Sequence, residues 1–141
     1  MGARWGTMAA AALIGAAALA GPAGTVRAAD GEDVVESFRL QDTQALVTAC
    51  SVPADHAMHA RANAFCLGYM SGAMHFYGAA VKSPKVEPFV CPPGEVSRAE
   101  VRKIFLNWAA AHPERLDEPP IEGLVRATVA AFPCGKEGSK S

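Results

Sequence analysis

Four cysteines, Cys50, Cys66, Cys91 and Cys134, constrain this chain more than any other feature of its sequence. An even cysteine count in a short exported domain reads first as disulfides, which reinforce a core of modest size. The N-terminus supplies the export signal. Met1 to Thr7 lacks acidic residues and carries Arg4, and Met8 to Ala20 holds only Ala, Leu, Ile, Met and Gly. Gly21-Pro22 breaks any helix, and Val26-Arg27-Ala28 suits the recognition positions of a signal peptidase. Residues 1–28 therefore predict a signal peptide cleaved after Ala28. Its apolar run falls well short of the roughly 20 residues that a spanning helix needs, so no stable membrane insertion is expected after cleavage. The mature chain has the length of one domain, with a periplasmic destination.

The full chain carries 13 Lys and Arg against 14 Asp and Glu, and cleavage removes Arg4 and Arg27. The charges are scattered and form no basic stripe, which argues against nucleic acid or an anionic membrane as partner.

Helical signals dominate the rest of the chain. Ala29 to Asp33 is a polar leader expected to fray, and Val34, Val35, Phe38 and Leu40 fit either a helical turn or an extended arm. Asp42 or Thr43 caps a short helix with Leu46, Val47 and Cys50 on one face, ended by Ser51-Val52-Pro53. A long Ala-rich helix is predicted from Asp55 to about Val81, with Met58, Ala62, Phe65, Tyr69, Gly72 and Phe76 as its apolar face. Gly68 and Gly72 each cost a helix about 1 kcal/mol relative to Ala, which suggests close approach of another helix. Ser83 to Gly94 is a Pro-rich loop. Ser97 and Glu100 form a capping-box pair before Val101, Ile104, Phe105 and Trp108, the stripe of a further helix ending at His112-Pro113. Pro119-Pro120 opens the last helix, traced by Ile121, Leu124, Val125, Thr128, Val129 and Phe132. Residues 135–141 form a polar tail expected to be disordered. The fold class is all-α, a small domain of about four helices.

The short link between the last two helices makes an antiparallel hairpin. That brings Cys91, just before one helix, beside Cys134, at the end of the other, and leaves Cys50 for Cys66. In the chain-entropy view the two bridges contribute about 4 and about 3 kcal/mol.

Other constellations are weaker. His56, His59, His75 and Cys66 offer a zinc-like set, but no two cysteines have the close spacing of a structural zinc site, so no metal and no cofactor are expected. Gly68-Tyr69-Met70-Ser71-Gly72 places Ser71 one position away from the centre of a hydrolase elbow and in mid-helix. Ser71 and His75 sit one turn apart without a clear third group, and the chain reads as a non-enzyme.

Three stretches carry a resemblance. Cys66-Leu67-Gly68-Tyr69-Met70-Ser71-Gly72, Cys91-Pro92-Pro93-Gly94-Glu95-Val96-Ser97 and Ala131-Phe132-Pro133-Cys134 stand in order behind Cys50, with His112-Pro113-Glu114 between the last two. Together they resemble the type VI amidase immunity family, the Rap/Tai immunity proteins, over about Phe38 to Cys134. The resemblance implies a small helical periplasmic protein with two disulfides, in some members a homodimer. It also implies binding to a peptidoglycan amidase effector of type VI secretion, whose active-site cleft the immunity protein plugs. This chain departs from the family pattern at His75, where an acidic residue is usual, and around Glu100-Val101-Arg102, where a Gln is usual. The competing reading is a periplasmic helical binding or chaperone-like protein without an amidase partner.

A plug needs a stiff protruding element to limit the ordering cost of binding. The loop from Ser83 to Glu95 fits, restricted by Pro84, Pro88, Pro92 and Pro93, with Lys85, Val86, Glu87 and Phe89 as candidate partner-binding residues. Equally, Phe89 and Val90 suit folding back over the hairpin. The turn from His112 to Pro120 is the second candidate surface.

Overall fold

The computed structural model of the protein describes residues 30–135. The expected signal peptide and nearly all of the C-terminal tail lie outside that range. Among these residues five α-helices follow one another: α1 (Gly31–Ser37), α2 (Thr43–Cys50), α3 (His59–Ala80), α4 (Arg98–Ala111) and α5 (Pro120–Ala131), with a single 3-10 turn at Pro113–Arg115. The domain is all-α; among the described residues the only β pairing is an isolated bridge between Val90 and Pro133.

Helix α2 packs against α1, α3 and α5, and α4 packs against α3 and α5. Leu46 and Cys50 of α2, Cys66 and Met70 of α3, Val101 and Phe105 of α4, and Leu124 and Ala127 of α5 form the main core. The Cys50–Cys66 disulfide lies inside it, and Cys91–Cys134 closes the outer end of the α4–α5 hairpin. Both bridges are the pairs expected from the hairpin.

Local chemistry explains most helix starts. The Asp42 carboxylate accepts from the Ala45 N–H at 2.7 Å, and the Ser97 hydroxyl accepts from the Glu100 N–H at 3.2 Å. Pro120 opens α5, where its missing N–H leaves no helical bond unmade. Leu40 joins α1 to α2 at φ 50°, a left-handed conformation costly for a branched side chain, and its side chain packs against the main core.

The structure corrects the sequence reading at three places. The supposed leader is helical from Gly31, because a turn stacks Val34 and Phe38 on one side. Val34 is buried against Val52 and Ala62, and the Phe38 ring meets Phe65 at 4.7 Å. Helix α3 begins at His59 rather than Asp55, because Pro53 to Met58 is spent on turns in which His56 N–H bonds to Pro53 O and His59 N–H to His56 O. The buried stripe of α3 runs through Ala62, Cys66 and Met70, which places Gly72 and Phe76 in solvent. Phe76 is 77% exposed. A β-carbon on Gly68 or Gly72 would meet nothing within 4 Å, so none of the described helices approaches there.

Candidate functional site

The last turn of α3 starts the candidate loop. Val81 N–H bonds to Tyr77 O, Lys82 N–H to Ala79 O and Ser83 N–H to Ala80 O, so the helix runs down in tightening turns. Val86 N–H then bonds to Ser83 O, which bends the chain at Pro84-Lys85. Lys85, Val86 and Glu87 are all exposed on this arc.

The chain then returns along α3. The Tyr77 hydroxyl accepts the N–H groups of Phe89 and Val90, each at 3.0 Å, and donates to Val90 O at 3.1 Å. The Phe89 ring meets the Tyr77 ring edge-on at 4.7 Å while staying 42% exposed. Phe89 thus keeps one side in solvent and packs the other against α3 rather than over the hairpin, and Val90 is the residue that folds back to the hairpin end. Val90 pairs with Pro133, Cys91 N–H bonds to Phe132 O at 2.9 Å, and the Cys91–Cys134 bridge fastens the same point covalently. The arc carrying Lys85, Val86 and Glu87 is therefore held at its start by helix hydrogen bonds and at its end by Tyr77 and a disulfide.

Sequence reasoning missed Tyr77. Its signal is a tyrosine one turn before the end of a helix that leads into a Pro-rich loop, where a phenol can reach backbone groups that have no helical or sheet partner.

The turn from His112 to Pro120 has a different character. Its carbonyls face inward: Thr43 N–H bonds to Glu118 O at 2.7 Å and Gln44 N–H to Leu116 O at 2.9 Å. With Ala45 N–H on Asp42, three first-turn N–H groups of α2 are satisfied, two of them by this turn. The Glu118 carboxylate receives hydrogen bonds from the guanidinium groups of Arg115 and Arg126, both at 2.7 Å. The Arg115 bond comes first among the causes holding the Glu118 carboxyl below its ordinary range, and burial opposes it. His112 caps the end of α4: its Nδ1, which must carry the proton to bond a carbonyl, donates to Trp108 O at 2.8 Å, with the two rings stacked at 4.7 Å. This turn is a structural latch.

The metal-like residues do not converge. Cys66 is consumed by a disulfide, His56 Nδ1 accepts from Met58 N–H and His59 Nδ1 lies 2.8 Å from Val52 O. Among the described residues no group of three or more His, Cys, Asp or Glu could hold a metal ion. His75 is exposed on α3 and Ser71 half-buried.

No curated protein and no solved structure matches this chain. The family of Rap1a immunity proteins matches residues 42–134, from the Asp42 cap of α2 to the closing Cys134, and so takes in all four cysteines, the loop and helices α2 to α5. With that span matched, the chain belongs to the Rap1a immunity proteins.

Proposed function

We propose that the mature protein, made from a precursor cleaved after Ala28, is a periplasmic immunity protein that binds and inhibits a peptidoglycan amidase effector of type VI secretion. Family membership supports an effector as partner. The two disulfides fit an oxidising compartment, and no helix among the described residues is long and apolar enough to cross a membrane. The observation that carries the reading is the loop fastened at both ends, with Lys85, Val86 and Glu87 exposed between the fastenings. Such a loop enters a cleft with little conformational entropy left to lose. The protein inhibits by occupying the cleft and performs no chemistry of its own.

The test is inhibition of purified type VI amidase effectors on peptidoglycan by the oxidised mature protein. Stoichiometric loss of hydrolysis by one of them is the expected result. If the folded protein leaves every such amidase active, the amidase reading fails.

A second copy of the chain is a further proposed partner. Phe76 stands exposed beside the open positions of Gly68 and Gly72, and α3 carries no Asp, Glu, Lys or Arg from Ala62 to Val81 to oppose pairing. Sedimentation of the mature protein decides between monomer and dimer.

A further inference from the structure

One hydroxyl group holds the return of the exposed arc against α3, ahead of the point where Cys91 and the bridge from Val90 to Pro133 fasten the chain to the end of the hairpin. A tyrosine hydroxyl offers one donor and two acceptor positions, and at Tyr77 all three go to the backbone of Phe89 and Val90. These bonds join residues 12 and 13 positions apart, across a segment with no ladder of its own. The next amide, Cys91, turns to Phe132 instead. The disulfide therefore fixes where the chain arrives, and Tyr77 fixes the path by which Phe89 and Val90 reach it.

We propose that Tyr77 is the positioning residue of the docking loop: its hydroxyl sets the conformation in which Lys85, Val86 and Glu87 meet the effector. The assignment rests on the proposed role of this loop as the element that enters the effector's cleft. Without the hydroxyl, the amides of Phe89 and Val90 and the Val90 carbonyl turn to water, because Phe89 is exposed and Val90 half-exposed. The arc then samples many paths between the end of α3 and Cys91. Only a fraction of molecules presents the docking geometry, and apparent affinity falls by that fraction.

The experiment compares the mature oxidised protein with Tyr77→Phe, which keeps the ring against Phe89 and removes only the hydroxyl. Amide exchange in the free variant should accelerate at least about tenfold at Phe89 and Val90, with the helices unaffected. Its association with an amidase effector that the native protein inhibits should slow about tenfold, while dissociation and the thermal midpoint stay near the native values. Unchanged exchange at Phe89 and Val90 overturns the assignment with no partner present. Accelerated exchange with native association also overturns it. The double variant Lys85→Ala/Glu87→Ala serves as the control for the underlying reading. If it binds with native affinity, the loop is not the contact surface; if it binds weakly while Tyr77→Phe binds normally, only the role given to Tyr77 fails.

Discussion

A β-carbon placed on Gly123 would stand 2.5 Å from the Thr43 hydroxyl oxygen and 2.6 Å from the Thr43 methyl. Helix α5 crosses the start of α2 at this point, and both residues are buried. Thr43 is not free to withdraw, because its hydroxyl donates toward Glu118 O at 2.9 Å and Pro119 O at 3.2 Å. Glycine is needed here for the approach of another element. At Gly68 and Gly72, where the sequence suggests the same need, the space is open.

Gly123→Ala should therefore destabilise the domain by about 1–3 kcal/mol, in spite of the higher helix propensity of Ala. Thr43→Ala removes the two closest atoms, so the pair should be less damaging together than the sum of the single changes. Chemical denaturation of the two single variants and the double variant checks this, with additivity within about 0.5 kcal/mol counting against a steric origin.

Acid should weaken the latch between the α4–α5 turn and the rest of the domain. The Glu118 carboxyl is held below its ordinary range, first by the hydrogen bond from Arg115 and further by Arg126. A carboxyl lowered on folding contributes stability that is complete above the ordinary carboxylate range and lost as pH falls through the folded value. Glu118→Gln should be less stable than the native protein near neutral pH, and the difference should shrink as pH falls through and below the ordinary carboxylate range. Denaturation midpoints across that window read the effect; a constant difference would assign it to packing instead.

The two disulfides should differ in their resistance to a dithiol reductant. Cys50 and Cys66 are fully buried, whereas Cys91 is exposed. Thiolate attack needs access, so Cys91–Cys134 should open first, with Cys50–Cys66 protected until the core unfolds. Timed alkylation followed by peptide mass analysis reports the order. Simultaneous opening of both bridges would mean that the loop and the core unfold as one unit.

Phe76 offers a test without a core penalty. Phe76→Ser changes a side chain that is 77% exposed, so the stability of the isolated chain should move by no more than about 0.5 kcal/mol. If two copies pair through α3, the same change should shift the sedimenting species toward monomer. A dimer undisturbed by Phe76→Ser places the pairing surface elsewhere.

The parts of this fold that could be read from sequence are those set by neighbours in the chain. The caps at Asp42 and Ser97, the proline start of α5 and the stripe of Val101 and Phe105 all depend on residues within one or two turns. The hairpin then followed from a short link, and the disulfides from the hairpin. Helix α3 was harder because its Ala, Gly, Met and aromatic residues leave few polar positions to mark an outer face. Cys66 could have arbitrated: once bridged to Cys50 in a core, it draws Ala62 and Met70 inward with it and turns Phe76 outward. At the candidate site, the exposure of Lys85, Val86 and Glu87 was legible from proline content and polarity. The grip of Tyr77 was legible only in part, since its place near the end of α3 offers a phenol to the loop without saying which amides it takes, and the Thr43–Glu118 bond joins residues 75 positions apart, which no local pattern encodes.

The bond from Thr43 to Glu118 also bears on the order of events as the chain is made. Synthesis supplies α2 first, yet the carbonyl groups that cap its opening turn arrive some 75 residues later. Eight residues are too few for a helix to persist unsupported in water. Leu46 and Cys50 thus have no settled core to enter until α5 has been made and the turn before it has docked. Any fragment ending short of α5 should stay open and vulnerable to proteases, and folding waits for the last described helix to appear.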